Sequence, residues 1–183
     1  FSWEDLSARY QAELANGFGN LASRTLAMVT RYFDGVVPAA GELTPSDKAI
    51  ADVVAAAAVE ADAAIERLAI HDAVTSIWTI VDALNGYITE QEPWALAKDP
   101  ANAERLATVL NTATEGLRAL AVLLSPFMPQ ATQKLWSALG VEGALGALTA
   151  QPIREAGAWG QVPVGTTVGA LEALFPRIES SAE

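Results

Sequence analysis

Apolar residues recur at alternating spacings of four and three along most of this chain, which is the pattern of amphipathic helices. The first stretch predicts a helix from about Trp3 to Phe33, with an apolar stripe of Leu14, Phe18, Leu21, Thr25, Met28 and Tyr32. A second helix is predicted to start at Thr44-Pro45-Ser46-Asp47, where a hydroxyl can cap it and an acid lies in its first turn. Its stripe consists of Ile50, Val54, Ala57, Ala61, Ala64 and Leu68.

Two further helices repeat the rhythm. The third has the stripe Ile70, Val74, Ile77, Val81, Leu84 and Ile88, and the fourth, starting at Asp99-Pro100, has Leu106, Leu110, Ala113, Leu117, Leu120 and Leu124. Residues 125–129 (SPFMP) end the fourth helix, and a shorter one then runs up to Gly140. Helices of similar rhythm, joined by short breaks, predict an all-α protein built as an antiparallel helical bundle.

The composition changes at Gly140. Seven of the thirteen glycines fall in the last 44 residues, and no long helical stripe continues there. We therefore predict that residues 1–140 form the bundle. Residues 141–183 are predicted to form an irregular C-terminal extension that packs on the bundle or on another domain.

The charge argues against an ordinary nucleic-acid-binding protein. The 183 residues contain 11 Lys and Arg against 22 Asp and Glu, a net charge of −11. Phosphate neutralisation supplies most of the affinity for nucleic acids, so such domains usually carry a basic patch. Charge alone favours a plain soluble helical protein, and nucleic-acid binding would have to depend on a local site.

Other features bound the cellular context. The chain has no cysteine, no charged leader before an apolar stretch, and no apolar run long enough for a membrane span. We expect a cytoplasmic protein with no membrane partner. Because the sequence starts at Phe1 rather than at a methionine, we also expect a piece of something longer.

Catalysis is not expected from this chain. His71 is the one histidine, and a lone helical histidine without partners is usually structural. Without cysteine, a transition-metal site would need carboxylates alone, so we expect no metal site. The sequence also lacks a Gly-rich phosphate loop and a nucleophile elbow.

A helix break at Glu92-Pro93 leads directly to Trp94. Pro93 cannot continue a helix, and the residue before a proline is pushed towards extended geometry, so Glu92 should end the third helix. Trp94 then lies on a corner and has two possible roles. It either plugs the end of the core or offers a platform on which an unstacked base can lie.

A polar strip on the first helix is the second candidate. At 100° per residue, Gly17, Asn20, Arg24 and Arg31 fall beside the apolar stripe, with Glu13 on the same strip. Asn20 and Arg24 are four residues apart and offer donors and an acceptor for base edges. Gly17 would allow close approach of a backbone or nucleotide. In the alternative interpretation, Arg24 pairs with Glu13 or another acid, Asn20 caps a loop, and the glycines serve helix packing.

Four segments in order resemble the anticodon-binding domain of bacterial methionyl-tRNA synthetases. They are residues 13–24 (ELANGFGNLASR), 87–98 (YITEQEPWALAK), 124–129 (LSPFMP) and 174–179 (LFPRIE). The resemblance implies the helical-bundle fold of class I synthetase anticodon domains. It also implies recognition of the CAU anticodon of tRNA(Met) by Asn20, Arg24, Pro93 and Trp94.

The resemblance further implies partners and cofactors that lie outside this chain. The parent enzyme would use ATP and Mg to attach methionine to its tRNA, and its catalytic domain would be a partner of this one. Its catalytic signatures, of the His-x-Gly-His and Lys-Met-Ser-Lys-Ser types, are absent from these residues, so no cofactor is expected in this domain. The alternatives are the anticodon domain of a valine, isoleucine, leucine or cysteine synthetase, or a helical protein-interaction module.

Overall fold

Helices dominate the computed structural model, which describes residues 2–176. The α-helices are α1 (Trp3–Arg9), α2 (Asn20–Phe33), α3 (Pro45–Glu66), α4 (Ile70–Gln91), α5 (Pro93–Leu96), α6 (Ala103–Leu124), α7 (Pro129–Leu139) and α8 (Glu142–Leu145). A π-helix (Tyr10–Gly19) joins α1 to α2, and three short 3₁₀ turns cover Pro100–Asn102, Leu148–Ala150 and Ile153–Glu155. Residues 2–176 contain no β-strand, so the predicted all-α fold class is confirmed.

The first helical stretch runs without a break through residues 3–33, as predicted. Ser2 caps its start by accepting a hydrogen bond from the Asp5 N–H at 3.0 Å. Between Tyr10 and Gly19 the backbone has the wider π geometry, in which the Asn20 N–H reaches the Ala15 carbonyl five residues back. The angular spacing of 100° per residue therefore holds for α2 but not for the ten residues before it.

Helices α3 and α4 form a hairpin joined by three residues. The buried apolar face of α3 consists of Ile50 and Val54, followed by the four small side chains of Ala57, Ala58, Ala61 and Ala64. The predicted stripe is wrong at the hairpin tip. Leu68 lies in the turn at φ 59° and is 83% exposed, and Ile70 at the start of α4 is 49% exposed. Helix α3 ends at Glu66, so its helical spacing does not extend to Leu68. Ile70 is the first residue of α4 and lies at the exposed tip of the hairpin.

Helix α6 is the centre of the bundle. From Thr112 to Leu124 every residue is buried, and the helix contacts α2, α3, α4 and α7. As predicted, residues 125–129 end it, and α7 then carries the fully buried Trp136. A helix that is covered on all sides gives the other elements a common core to pack against.

A buried ion pair on α6 holds the C-terminal extension. Glu115 Oε1 accepts from Arg118 Nε at 2.7 Å, and both side chains are almost fully buried. The two groups also bond the backbone of residues 156–162: Arg118 donates to the Ala156 and Ala158 carbonyls, and Glu115 accepts from the N–H groups of Gln161 and Val162. The extension therefore contacts the bundle through charge-assisted bonds.

The extension also pairs with the loop after α2. Val36 and Thr167 form an isolated antiparallel bridge, and the Gly169 N–H donates to the Ala138 carbonyl at 2.7 Å. Residues 177–183, which include the end of the predicted motif at 174–179, lie outside the described residues. The division of the chain into residues 1–140 and 141–183 stays a prediction.

Within residues 2–176 there is no helix with the length and apolar character needed to cross a membrane.

Candidate nucleic-acid interface

The corner at the end of α4 is built around a left-handed residue. Glu92 ends the helix, as predicted, but its φ of 45° and ψ of 57° are left-handed rather than extended. This geometry lets its N–H keep a hydrogen bond to the Ile88 carbonyl at 3.1 Å. Its own carbonyl accepts from the Ala95 and Leu96 N–H groups. Pro93 is buried as the first residue of α5, where its missing N–H costs nothing.

Trp94 is neither a fully buried plug nor a free ring. Its side chain is half-buried and packs against the core cluster, while Trp136 is the tryptophan that the core encloses completely. The indole N–H of Trp94 donates to no atom of residues 2–176. One part of the ring is therefore anchored, and another part remains available for contacts outside the domain.

Arg24 on α2 lies against this ring. Its guanidinium carbon is 5.5 Å from the Trp94 ring centroid, within the range of a cation–π contact. The structure thus brings together two predicted site residues that are seventy positions apart in the sequence.

The alternative partner of Arg24 is not used. Glu13 Oε1 lies 3.8 Å from Arg9 Nε, and Arg24 joins no ion pair with any residue in the range 2–176. Because residues 10–19 are π-helical, the predicted alignment of Glu13 with Arg24 at 100° per residue fails. The Arg24 charge is therefore left without a carboxylate partner among the described residues.

Asn20 begins α2, one helical turn before Arg24. Its side chain is exposed and makes no hydrogen bond within residues 2–176. The amide of Asn20 and the guanidinium of Arg24 are neighbours on one helix face, since residues four apart lie side by side. Together with the Trp94 ring they offer an acceptor, several donors and an aromatic surface.

The glycines next to this face have different roles. A Cβ on Gly19 would lie 3.1 Å from the Leu14 carbonyl oxygen and 3.2 Å from the Phe175 ring, so close packing favours glycine there. A Cβ on Gly17 would meet only the Ala12 carbonyl oxygen, at 3.4 Å. The close approach expected at Gly17 is therefore found at Gly19, and it serves the contact with the C-terminal extension.

Next to the corner lies a partly buried polar group that we call the Asp47 cluster, made of Thr44, Asp47, Tyr87, Gln91 and Arg105. Arg105 donates two hydrogen bonds to the Asp47 carboxylate, at 2.6 and 2.9 Å, and a third to Gln91 Oε1 at 2.6 Å. Asp47 also accepts from the Tyr87 hydroxyl and from the backbone and side chain of Thr44. This cluster joins the starts of α3 and α6 to the end of α4.

The cluster changes the proton affinities of its members. Burial raises the pKa of Asp47, but the hydrogen bonds from Arg105, Tyr87 and Thr44 outweigh it and lower this pKa from 3.8 to about 2. Burial, followed by the hydrogen bond to Asp47, raises the pKa of Tyr87. The hydrogen bond to Asp47 raises the pKa of Arg105. Asp47 and Arg105 therefore stay charged throughout the neutral range.

Sequence reasoning identified Asp47 as a first-turn acid but missed this cluster. Its members are separated by 40 and 58 positions, and helical spacing gives no information about contacts between helices. His71 is exposed in the first turn of α4, and no three His, Asp or Glu residues within residues 2–176 are grouped to hold a metal ion.

Comparison with known proteins decides the family. The family described as the anticodon binding domain of methionyl tRNA ligase matches residues 37–183. The chain belongs to this family. The resemblance seen in the four sequence segments is thereby confirmed.

Relatives of this anticodon-binding domain include methionine–tRNA ligases from several bacteria. The protein from Streptomyces coelicolor is 52% identical over 98% of this chain and 34% of its own length. That from Halalkalibacterium halodurans is 35% identical over 100% of the chain and 27% of its own length. The chain thus spans about a third or less of the curated relatives named here.

Solved structures agree with the family. The apo form of Mycobacterium tuberculosis methionyl-tRNA synthetase superposes with a TM-score of 0.85 at 29% identity, covering 98% of this chain and 35% of that one. The same enzyme in complex with methionyl-adenylate gives a TM-score of 0.87 at 31% identity, and the match covers 97% of this chain and 34% of that one. The bundle described above is therefore the fold that this family has in its synthetases.

Proposed function

We propose that this chain recognises the CAU anticodon of tRNA(Met) for a methionine–tRNA ligase. In this proposal Trp94 stacks an unpaired anticodon base, Asn20 and Arg24 bond base edges, and Pro93 sets the corner that presents the ring. The observation that carries the proposal is the contact of Arg24 with the half-buried Trp94, 5.5 Å from the guanidinium carbon to the ring centroid.

The chemistry of these groups suits an unstacked base. Base stacking on an aromatic ring needs an exposed face held rigidly, and Trp94 is anchored on one side by the core. Reading a base edge needs donors and acceptors that have no other partner, as for Asn20 and Arg24 within residues 2–176. One nucleotide stacked on the ring would have the guanidinium close to its edge.

The net charge of −11 is consistent with recognition through bases. A domain with few cations gains little from phosphates, so stacking and base-edge bonds must supply the discrimination. The remaining affinity for tRNA would come from the rest of the enzyme, including the catalytic domain that we propose as the partner within the same protein. That domain would use ATP and Mg, and the enzyme would act in the cytoplasm.

The test uses the full-length protein that carries this chain. Trp94→Ala or Arg24→Gln is expected to lower kcat/KM for tRNA charging, while ATP–pyrophosphate exchange with methionine stays unchanged. Losing one stacked base or one base-edge pair costs about 1–3 kcal/mol, which corresponds to a roughly five- to 150-fold loss in kcat/KM for tRNA charging.

Arg67→Gln is the matched control. Arg67 is exposed at the α3–α4 turn, and the 22-residue α4 separates it from the corner by roughly 30 Å. It should leave both reactions unchanged. Equal loss of methionine activation in the site variants, or tRNA charging that Trp94→Ala does not alter, would contradict the proposal.

A further inference from the structure

The last side chain of α4 connects the Trp94 corner to the Asp47 cluster. Gln91 directly precedes the left-handed Glu92, and its Oε1 accepts a hydrogen bond from Arg105 Nη2 at 2.6 Å. Arg105 lies near the start of α6, so this bond crosses from one helix to another. It is the hydrogen bond of the Asp47 cluster closest in sequence to Trp94.

Arg105 is itself fixed in place. Both of its terminal nitrogens donate to Asp47, and Asp47 is 1% exposed at the start of α3. The Tyr87 hydroxyl, one turn before Gln91 on α4, bonds the same carboxylate. The final two turns of α4 are therefore held by one charged pair, because residues four apart face the same side of a helix.

The corner needs such support. A non-glycine residue rarely adopts the conformation of Glu92, and it persists only where the surroundings determine it. Glu92 and Ala95 are exposed and contribute little packing of their own. Pro93 is buried and Trp94 packs against the core, so α5 has some packing of its own. The direction of α5, and with it the Trp94 ring, depends in addition on how the end of α4 is held.

We propose that Arg105, fixed by Asp47 and acting through Gln91, is a positioning residue for anticodon recognition that sets the place of the Trp94 ring. This inference rests on the proposed function of Trp94. Arg105 does not touch the RNA in this role, since its charge is matched by Asp47 and its side chain is only 23% exposed.

The experiment measures binding of tRNA(Met) to the full-length protein over a series of salt concentrations. Gln91→Met keeps the length and helix preference of the side chain but removes the acceptor. Arg105→Lys keeps the charge but cannot bridge Asp47 and Gln91 at once. Each is expected to weaken binding about threefold to thirtyfold with an unchanged salt slope. The control Gln133→Met makes the same change at an exposed position of α7 and should leave binding unchanged.

Combination with Trp94→Ala separates positioning from direct contact. If the ring transmits the effect, adding Gln91→Met to Trp94→Ala weakens binding by less than about twofold. The same fold loss in both backgrounds would overturn the proposal. Unchanged binding in Gln91→Met or Arg105→Lys would also overturn it. A change of about one phosphate contact in the salt dependence of binding would do the same, because it would mean that Arg105 contacts the RNA directly. Unchanged binding in Trp94→Ala alone would instead refute the proposed function.

Discussion

The charged pair of the Asp47 cluster should make the stability of the bundle depend on pH in an acidic window. Asp47 has its pKa lowered from 3.8 to about 2 in the folded protein. A lowered folded pKa means that the native state binds fewer protons than the unfolded chain between these values. The stabilisation is therefore fully present above about pH 4 and is lost as the pH falls to about 2.

The magnitude follows from the pKa difference. At about 1.4 kcal/mol per pKa unit, the lowering corresponds to about 2 kcal/mol of unfolding free energy at neutral pH. Asp47→Asn removes this contribution and leaves Arg105 without its carboxylate. Breaking a buried pair in this way costs about 3–5 kcal/mol. We therefore expect the unfolding free energy of Asp47→Asn to be about 3–5 kcal/mol below that of the wild-type chain at pH 7. Near pH 2 this difference should be smaller by about 2 kcal/mol.

The assay is urea unfolding of the 183-residue chain, followed by far-ultraviolet circular dichroism at several pH values. Asp52→Asn is the matched control, because Asp52 is an exposed acid on the same helix. It should alter the unfolding free energy by no more than about 0.5 kcal/mol at any pH. A gap between the wild-type chain and Asp47→Asn that stays constant from neutral pH to pH 2 would refute this reasoning.

Two further predictions concern the C-terminal extension. Glu115→Gln should cost about 3 kcal/mol or more in urea unfolding. It should also make residues 156–162 more sensitive to limited proteolysis, because Arg118 loses its buried partner. Gly140→Ala should destabilise the chain by at least about 1–2 kcal/mol in the same unfolding assay. At φ 71° an added Cβ would lie 2.1 Å from the Thr167 carbonyl oxygen.

The chain offers a control for each of these changes. Glu155 forms only an exposed pair with Arg154, so Glu155→Gln should change stability by less than about 0.5 kcal/mol. A Cβ on Gly143 meets no atom within 4 Å, so Gly143→Ala should be tolerated. Equal losses of unfolding free energy in Glu115→Gln and Glu155→Gln would contradict the assignment of this stability to the buried ion pair. Equal losses in Gly140→Ala and Gly143→Ala would likewise contradict the clash with Thr167 as the cause.

The helices were predictable because their apolar residues follow local spacing. The corner at Glu92, the capped start at Thr44 and the end of α6 all depend on residues adjacent in sequence. The error at Leu68 arose because the α3 stripe was extended into a turn in which the chain no longer follows a helical path. Ile70 does lie in α4, but as its first residue it is at the exposed tip of the hairpin. The π-helix escaped prediction because a fixed angle per residue was assumed for the whole first stretch.

The candidate site was predictable only in its parts. Asn20 and Arg24 share one helix face by local spacing, but the contact of Arg24 with Trp94 depends on how α2 and α5 pack. The contacts of Arg105 with Asp47 and Gln91 likewise depend on how α6 packs against α3 and α4. Contacts between helices depend on three-dimensional packing, on which the spacing of residues within one helix carries no information.

The claim that this domain reads the anticodon is tested most directly by comparing two anticodon stem-loops, one with CAU and one with a single anticodon base changed. Their binding to the full-length protein is measured at one salt concentration, because affinity for nucleic acid depends on salt. Loss of one base-edge contact should weaken binding by about fivefold or more. Equal binding of the two stem-loops would contradict the account.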